Sequence, residues 1–221
     1  MTTKKLKLLS IFFCIFILFG SSCQKVNPLY EAVNELRSNL FFGESQDYKL
    51  EACYGFTTTV NADVDEKVYA LTFRLIEKEV DQANYSISMV YNEKDYSANF
   101  KLNPITHTLT ARIEIENFSE KEFSVSMKKA EDCQTLTLCS TLPDGAISYK
   151  TALDHLSEKQ SDLIKSYTDE NGNFTAKICA RIIVKNQKPY WYVGFTSANG
   201  DLKALLIDGI TGETLAIREI F

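Results

Sequence analysis

Between residues 47 and 142 the apolar side chains recur at every second position. Tyr48, Leu50, Ala52, Tyr54 and Phe56 alternate with polar neighbours. The phase returns in Leu71, Phe73 and Leu75, in Tyr85, Ile87, Met89 and Tyr91, and in Tyr96, Ala98, Phe100 and Leu102. It continues in Leu109, Ala111, Ile113 and Ile115, in Phe123, Val125 and Met127, and in Leu136 and Leu138. A period of two sends one row of side chains to a core and the other to water, so these seven runs read as half-buried strands. Asn92-Glu93-Lys94-Asp95 and Asn103-Pro104 look like tight connections between them. The pattern predicts an antiparallel, sandwich-like β domain at 47–142.

The flanking segments change period. Asn27 followed by Pro28 has the form of an N-cap and a first helical residue. Leu29, Ala32, Val33, Leu36 and Leu40 then recur at helical spacing, which predicts one amphipathic helix over 28–41, within a tether-and-helix segment at 23–46. Leu142-Pro143-Asp144-Gly145 punctuates the other end of the β domain. Beyond it, Ser148 caps a helical stretch over 148–167 that breaks near Ser157. Three strands follow, at 174–185, 189–197 and 202–208, with a short extension at 214–220. The predicted class is therefore α+β: an N-terminal helix, an antiparallel β domain, and a C-terminal αβββ domain over 147–221.

The first 22 residues have a different character. Lys4, Lys5 and Lys7 precede an apolar run from Leu8 to Phe19, and Gly20-Ser21-Ser22 lead to Cys23. The run is shorter than the about 20 residues a spanning helix needs, and the order of its parts is that of an export leader. It resembles the bacterial lipoprotein signal, which implies cleavage before Cys23, acylation of that cysteine, and a membrane-anchored position on the extracytoplasmic face. An ordinary cleaved leader and an uncleaved anchor are the alternatives. Each buried CH₂ contributes about 0.8 kcal/mol, so two or three acyl chains hold a protein on a bilayer.

The formal charge of the whole chain is −5; the leader holds three lysines and no acid, so the body without it carries −8. That charge, with no basic run longer than Lys128-Lys129, argues against a nucleic-acid partner. Past Cys23 four cysteines remain: Cys53, Cys133, Cys139 and Cys179. In an oxidising compartment they permit two disulfides in three connectivities, the alternative being four buried free thiols. Cys133 and Cys139 do not pair if they share one strand, because six residues of strand span about 20 Å and a disulfide needs Cα atoms about 4.4–6.8 Å apart.

The last third of the chain resembles the PepSY domain family. The resemblance begins at Ile147-Ser148 with Ala152-Leu153 and resumes at Lys188-Pro189-Tyr190-Trp191-Tyr192-Val193. It is most specific at Leu206-Ile207-Asp208-Gly209-Ile210-Thr211-Gly212-Glu213-Thr214-Leu215, an apolar strand ending in Asp and followed by Thr-Gly-Glu. Read from the residues, that signature is a turn: Asp208 accepts hydrogen bonds from turn amides, and Gly212 takes a conformation other residues resist. Family members occur in propeptides of secreted metallopeptidases and in exported proteins, so the resemblance implies a protein-contact module that restrains a peptidase.

Enzyme chemistry finds no footing in the sequence. There is no nucleophile elbow, no His-Glu-x-x-His and no phosphate-binding loop. The two histidines, His107 and His155, read as surface residues, and no cysteine spacing suits zinc. No cofactor is implied. Tyr190, Trp191 and Tyr192 place two aromatic rings on one strand face and one on the other, a candidate contact surface with core packing as its alternative. The expected function is non-enzymatic protein binding at the cell surface, with binding of a small ligand or envelope polymer by the β domain as the alternative.

Overall fold

The computed structural model describes residues 26–61, 64–76, 84–104 and 106–220. The leader and the acylation site at Cys23 lie outside these residues. Among the described residues 60% are in strands and 11% in helices, and the thirteen strands belong to one nearly closed, barrel-like sheet. This replaces the α+β organisation expected from the sequence.

The predicted N-terminal helix does not form. Asn27 does cap a turn, its Oδ1 accepting from the Leu29 amide at 3.1 Å, but the turn is a single 3₁₀ turn over Pro28–Tyr30. The chain then enters β1, Val33–Glu44. Register shifts between Val33 and Glu35 and between Arg37 and Asn39 each displace the alternation by one residue. Buried Val33 and Leu36 consequently fall three residues apart, a spacing that imitates a helix, while Phe41 and not Leu40 takes the next buried position.

The seven alternating runs form β2 (Lys49–Asn61), β3 (Val64–Ile76), β4 (Tyr85–Tyr91), β5 (Lys94–Asn99), β7 (Thr108–Glu114), β8 (Glu122–Lys129) and β9 (Asp132–Ser140). A short β6, Lys101–Asn103, continues β5 past Phe100. They curl into a barrel instead of a sandwich. Around the ring β1 pairs β2, β2 pairs β3, β3 pairs β7 and β7 pairs β6; β5 pairs β4, β4 pairs β8, β8 pairs β9 and β9 returns to β1. The bend between β5 and β6 carries the chain from one neighbour to the next. Phe41, Leu50, Leu71, Phe73, Ile87, Met127 and Leu138 fill the interior.

The C-terminal segment is no separate αβββ unit. Helix α1 (Tyr149–Lys159) is capped by Ser148, and helix α2 (Ser161–Ser166) follows after a break at Gln160. Four strands come next: β10 (Lys177–Lys185), β11 (Lys188–Thr196), β12 (Leu202–Asp208) and β13 (Thr214–Ile220). β10 pairs in parallel with the first half of β1, while β9 occupies the same edge near Phe41 and Phe42. The sheet therefore forks at β1. On the wing, Ala152, Leu153 and Leu156 of α1 pack on Ile178, Ala180, Trp191, Val193, Phe195 and Leu205. This second core also takes in Leu29, Val33, Leu36 and Phe56, so β1 and β2 serve both cores. Leu36 lies opposite Phe56 and Phe41 opposite Ala52, which puts both cores on the same face of these strands.

Candidate functional site

The other face of the sheet, on the barrel exterior and away from α1, collects an unusual set of side chains. The chain has five arginines, Arg37, Arg74, Arg112, Arg181 and Arg218. Register places all five on this face. Arg181 of β10 is beside Arg37 of β1, which is opposite Gly55 of β2; Gly55 is opposite Ala70 of β3. One step along, Cys53, Thr72 and Arg112 form a second cross-strand row, and Glu51, Arg74 and Thr110 a third. At the far edge Arg218 of β13 is opposite Ala204 of β12, which is opposite Gly194.

These rows border an open groove of about 570 Å³ over β1, β2, β3 and β7. Glycine at 55 is required there. A Cβ on it would sit 1.7 Å from the Leu36 carbonyl oxygen, because the bulged β1 backbone folds in against β2. Backbone and Ala70 therefore form the floor, and longer side chains the walls.

Charges on the walls are unevenly neutralised. Glu35 accepts from Arg181 Nε at 3.0 Å and Nη2 at 2.8 Å, and from Arg37 Nε at 3.1 Å. Burial pushes the Glu35 carboxyl upward, but the hydrogen bonds and charges of Arg181 and Arg37 outweigh it and hold the group below its ordinary value. Arg74 Nε donates to Glu51 at 2.9 Å, and its Nη2 contacts the same carboxylate. Arg112 differs: its Nη2 donates to Thr57 Oγ1 at 3.3 Å and to the Val68 carbonyl at 3.2 Å, and among the described residues it meets no carboxylate.

Two of the candidate cysteines are on this face. Burial drives the Cys53 thiol to about 11, and burial with the neighbouring Glu35 charge does the same for Cys179. Both are protonated at neutral pH and so are poor nucleophiles. They sit on β2 and β10 with β1 between them. Cys133 and Cys139 lie near opposite ends of β9, exposed, with Cys139 Sγ donating to Glu122 Oε2 at 3.3 Å. All four are free thiols.

Of the aromatic trio, Tyr190 and Tyr192 are half-buried on the arginine face, Tyr192 directly beside Arg181. Trp191 points the other way, is 2% exposed, and donates its indole N–H to the Ile147 carbonyl at 3.0 Å. The histidines are apart: His107 is in the turn before β7, and His155 of α1 packs where a Cβ on Gly212 would be. The 208–212 turn is local, with Asp208 Oδ1 accepting from the Ile210 and Thr211 amides at 2.8 and 2.9 Å, which lowers its carboxyl. Among the described residues no cluster of three or more metal-ligating side chains occurs and no helix is long and apolar enough to cross a membrane.

Sequence reading missed the arginine face. Arg74, Arg112 and Arg181 each occupy the polar phase of a strand, which was visible; their alignment depends on register, which was not. Comparison with family models, with curated proteins and with solved structures finds no match to this chain.

Proposed function

We propose that this chain is a non-enzymatic binding protein, held on the extracytoplasmic face of a membrane by acyl chains on Cys23, that docks a protein partner on the arginine face of its sheet. The observation that carries the reading is the gathering of all five arginines on one sheet face that no helix among the described residues covers. Arginine and tyrosine are enriched in protein interfaces, and Tyr190 and Tyr192 extend the face beyond Arg181. The barrel interior is filled by side chains, which leaves surface recognition as its available mode. The PepSY-like turn at 206–215 points to an extracytoplasmic peptidase as the partner class.

Affinity purification of the full chain from detergent-solubilised membranes tests this. One envelope protein should co-purify in stoichiometric amount and be lost when Arg37 and Arg112 are both changed to Gln, while a Cys23→Ala chain should leave the membrane fraction. Recovery indifferent to the arginines, or a Cys23→Ala chain still membrane-bound at its normal mature size, contradicts the reading.

A second reading, a small-ligand or envelope-polymer binder, is favoured by one observation. The groove volume of about 570 Å³ falls in the about 300–1,000 Å³ range of small-molecule sites. A sugar or other small molecule retained by the purified protein in native mass spectrometry would select it.

A further inference from the structure

We infer that the groove holds a carboxylate of an extended, acidic segment of the protein partner, and that Arg112 is its seat. The inference rests on the protein-binding reading above and names the chemistry of the contact. Among the arginines in and beside the groove, Arg37 and Arg181 share Glu35, and Arg74 is paired with Glu51. Arg112 alone of these is oriented by neutral oxygens, those of Thr57 and Val68. Its guanidinium is thus fixed in place without being neutralised by any described residue, and both contacts use Nη2. The Nε and Nη1 donors of this positive group are left for an acceptor, and a carboxylate oxygen takes such a charge-assisted hydrogen bond.

The surroundings suit an extended chain. Gly55 and Ala70 keep the floor low beside Arg112. Thr72, directly opposite Arg112 on β3, is exposed and offers a hydroxyl. Lys101 of β6 is opposite Thr110, on the same face, and carries the positive strip past Arg112. Glu114, the next β7 residue on this face, lies across from Ala70 and bounds the strip on the other side. The body of the protein is acidic overall, so a local basic strip selects where an acidic partner lands without attracting acidic chains to the rest of the surface. Tyrosines at the other end of the face offer a polypeptide apolar contact area.

A fluorescent hexaglutamate peptide, titrated against the purified full chain at low and moderate salt and followed by anisotropy, tests the inference. Hexaglutamate should bind and hexaglutamine should not. Arg112→Gln should weaken binding at least tenfold, and Arg112→Lys by less, because it keeps the charge and loses the anchored guanidinium. Lys159→Gln, an equal charge change on the exposed end of α1, should leave binding unchanged. Hexaglutamate binding that is absent, or indifferent to Arg112→Gln in a chain of unaltered melting temperature, overturns the inference. So does polygalacturonate binding tighter than hexaglutamate, which would assign the carboxylate to a polymer. An envelope partner recovered equally by wild type and Arg112→Gln, but lost in the Arg37/Arg112 double variant, would sink this contact while the docking face stands.

Discussion

Leu138 and Trp191 lie in different cores, and the fork at β1 predicts that they unfold together. Leu138 is fully buried in the barrel, on the strand that meets β1 at Phe42. Trp191, the only tryptophan, is buried in the wing core against α1. Its fluorescence therefore reports the wing alone. Leu138→Ala removes three buried carbons from a tightly filled interior and should cost about 3 kcal/mol. With a urea slope of about 3 kcal/mol/M for a chain of this size, the unfolding midpoint should fall by about 1 M. The decisive point is that the shift should appear in the Trp191 signal, although Leu138 belongs to the barrel core, because β1 and β2 cannot leave one core and remain in the other. Leu153→Ala, beneath α1, should shift the same transition by a similar amount. A Trp191 transition that ignores Leu138→Ala, with circular dichroism showing a separate early loss of barrel strands, would refute the shared-strand reasoning.

Other outcomes follow from the arginine face. Glu35 has a folded-state carboxyl value below its unfolded value of about 4.3. Its stabilising contribution is therefore complete above that unfolded value and is lost as pH falls through the folded one. Screening around the half-exposed Arg37 and Arg181 keeps the contribution to about 1 kcal/mol. Wild type should accordingly exceed Glu35→Gln in urea stability at pH 7, and the gap should narrow as pH falls through the lowered folded-state value; a constant gap would contradict this. Among the four thiols after Cys23, timed alkylation at pH 7.5 read by mass spectrometry should label exposed Cys133 first and Cys53 and Cys179 last, the last two being held protonated by burial. Gly55→Ala should destabilise by several kcal/mol, since the new methyl meets the backbone of β1 instead of a movable side chain; an unchanged melting temperature would show that the bulge relaxes freely.

Much of the barrel was legible because its strands alternate cleanly and bury one face each, as Leu71, Phe73 and Leu75 of β3 do. The fold class was not, for reasons traceable to particular residues. The bulge near the start of β1 put Val33 and Leu36 three residues apart, and with Leu29, Ala32 and Leu40 they read as a helical rhythm that a periodicity argument has no means of separating from a bulged strand. The pairing of Leu36 with Ala180 joins segments more than 140 residues apart, and nothing local in either segment announces the other. The same holds for the site. Tyr190 and Tyr192 were singled out because they are neighbours in sequence. The arginines were not, because Arg74 and Arg112 become neighbours only once β3 and β7 are in register, and Arg37 was hidden in a segment read as helix. The turn at Asp208 was readable because its hydrogen bonds close within three residues.

The most direct test of the docking face is photo-crosslinking in intact cells, with a photoreactive residue placed at exposed Thr72, between Cys53 and Arg112, or at exposed Glu158 on α1. Docking on the arginine face should give a protein adduct of one defined mass from position 72 and none from position 158. Adducts of equal yield from both positions, or from position 158 alone, would contradict it.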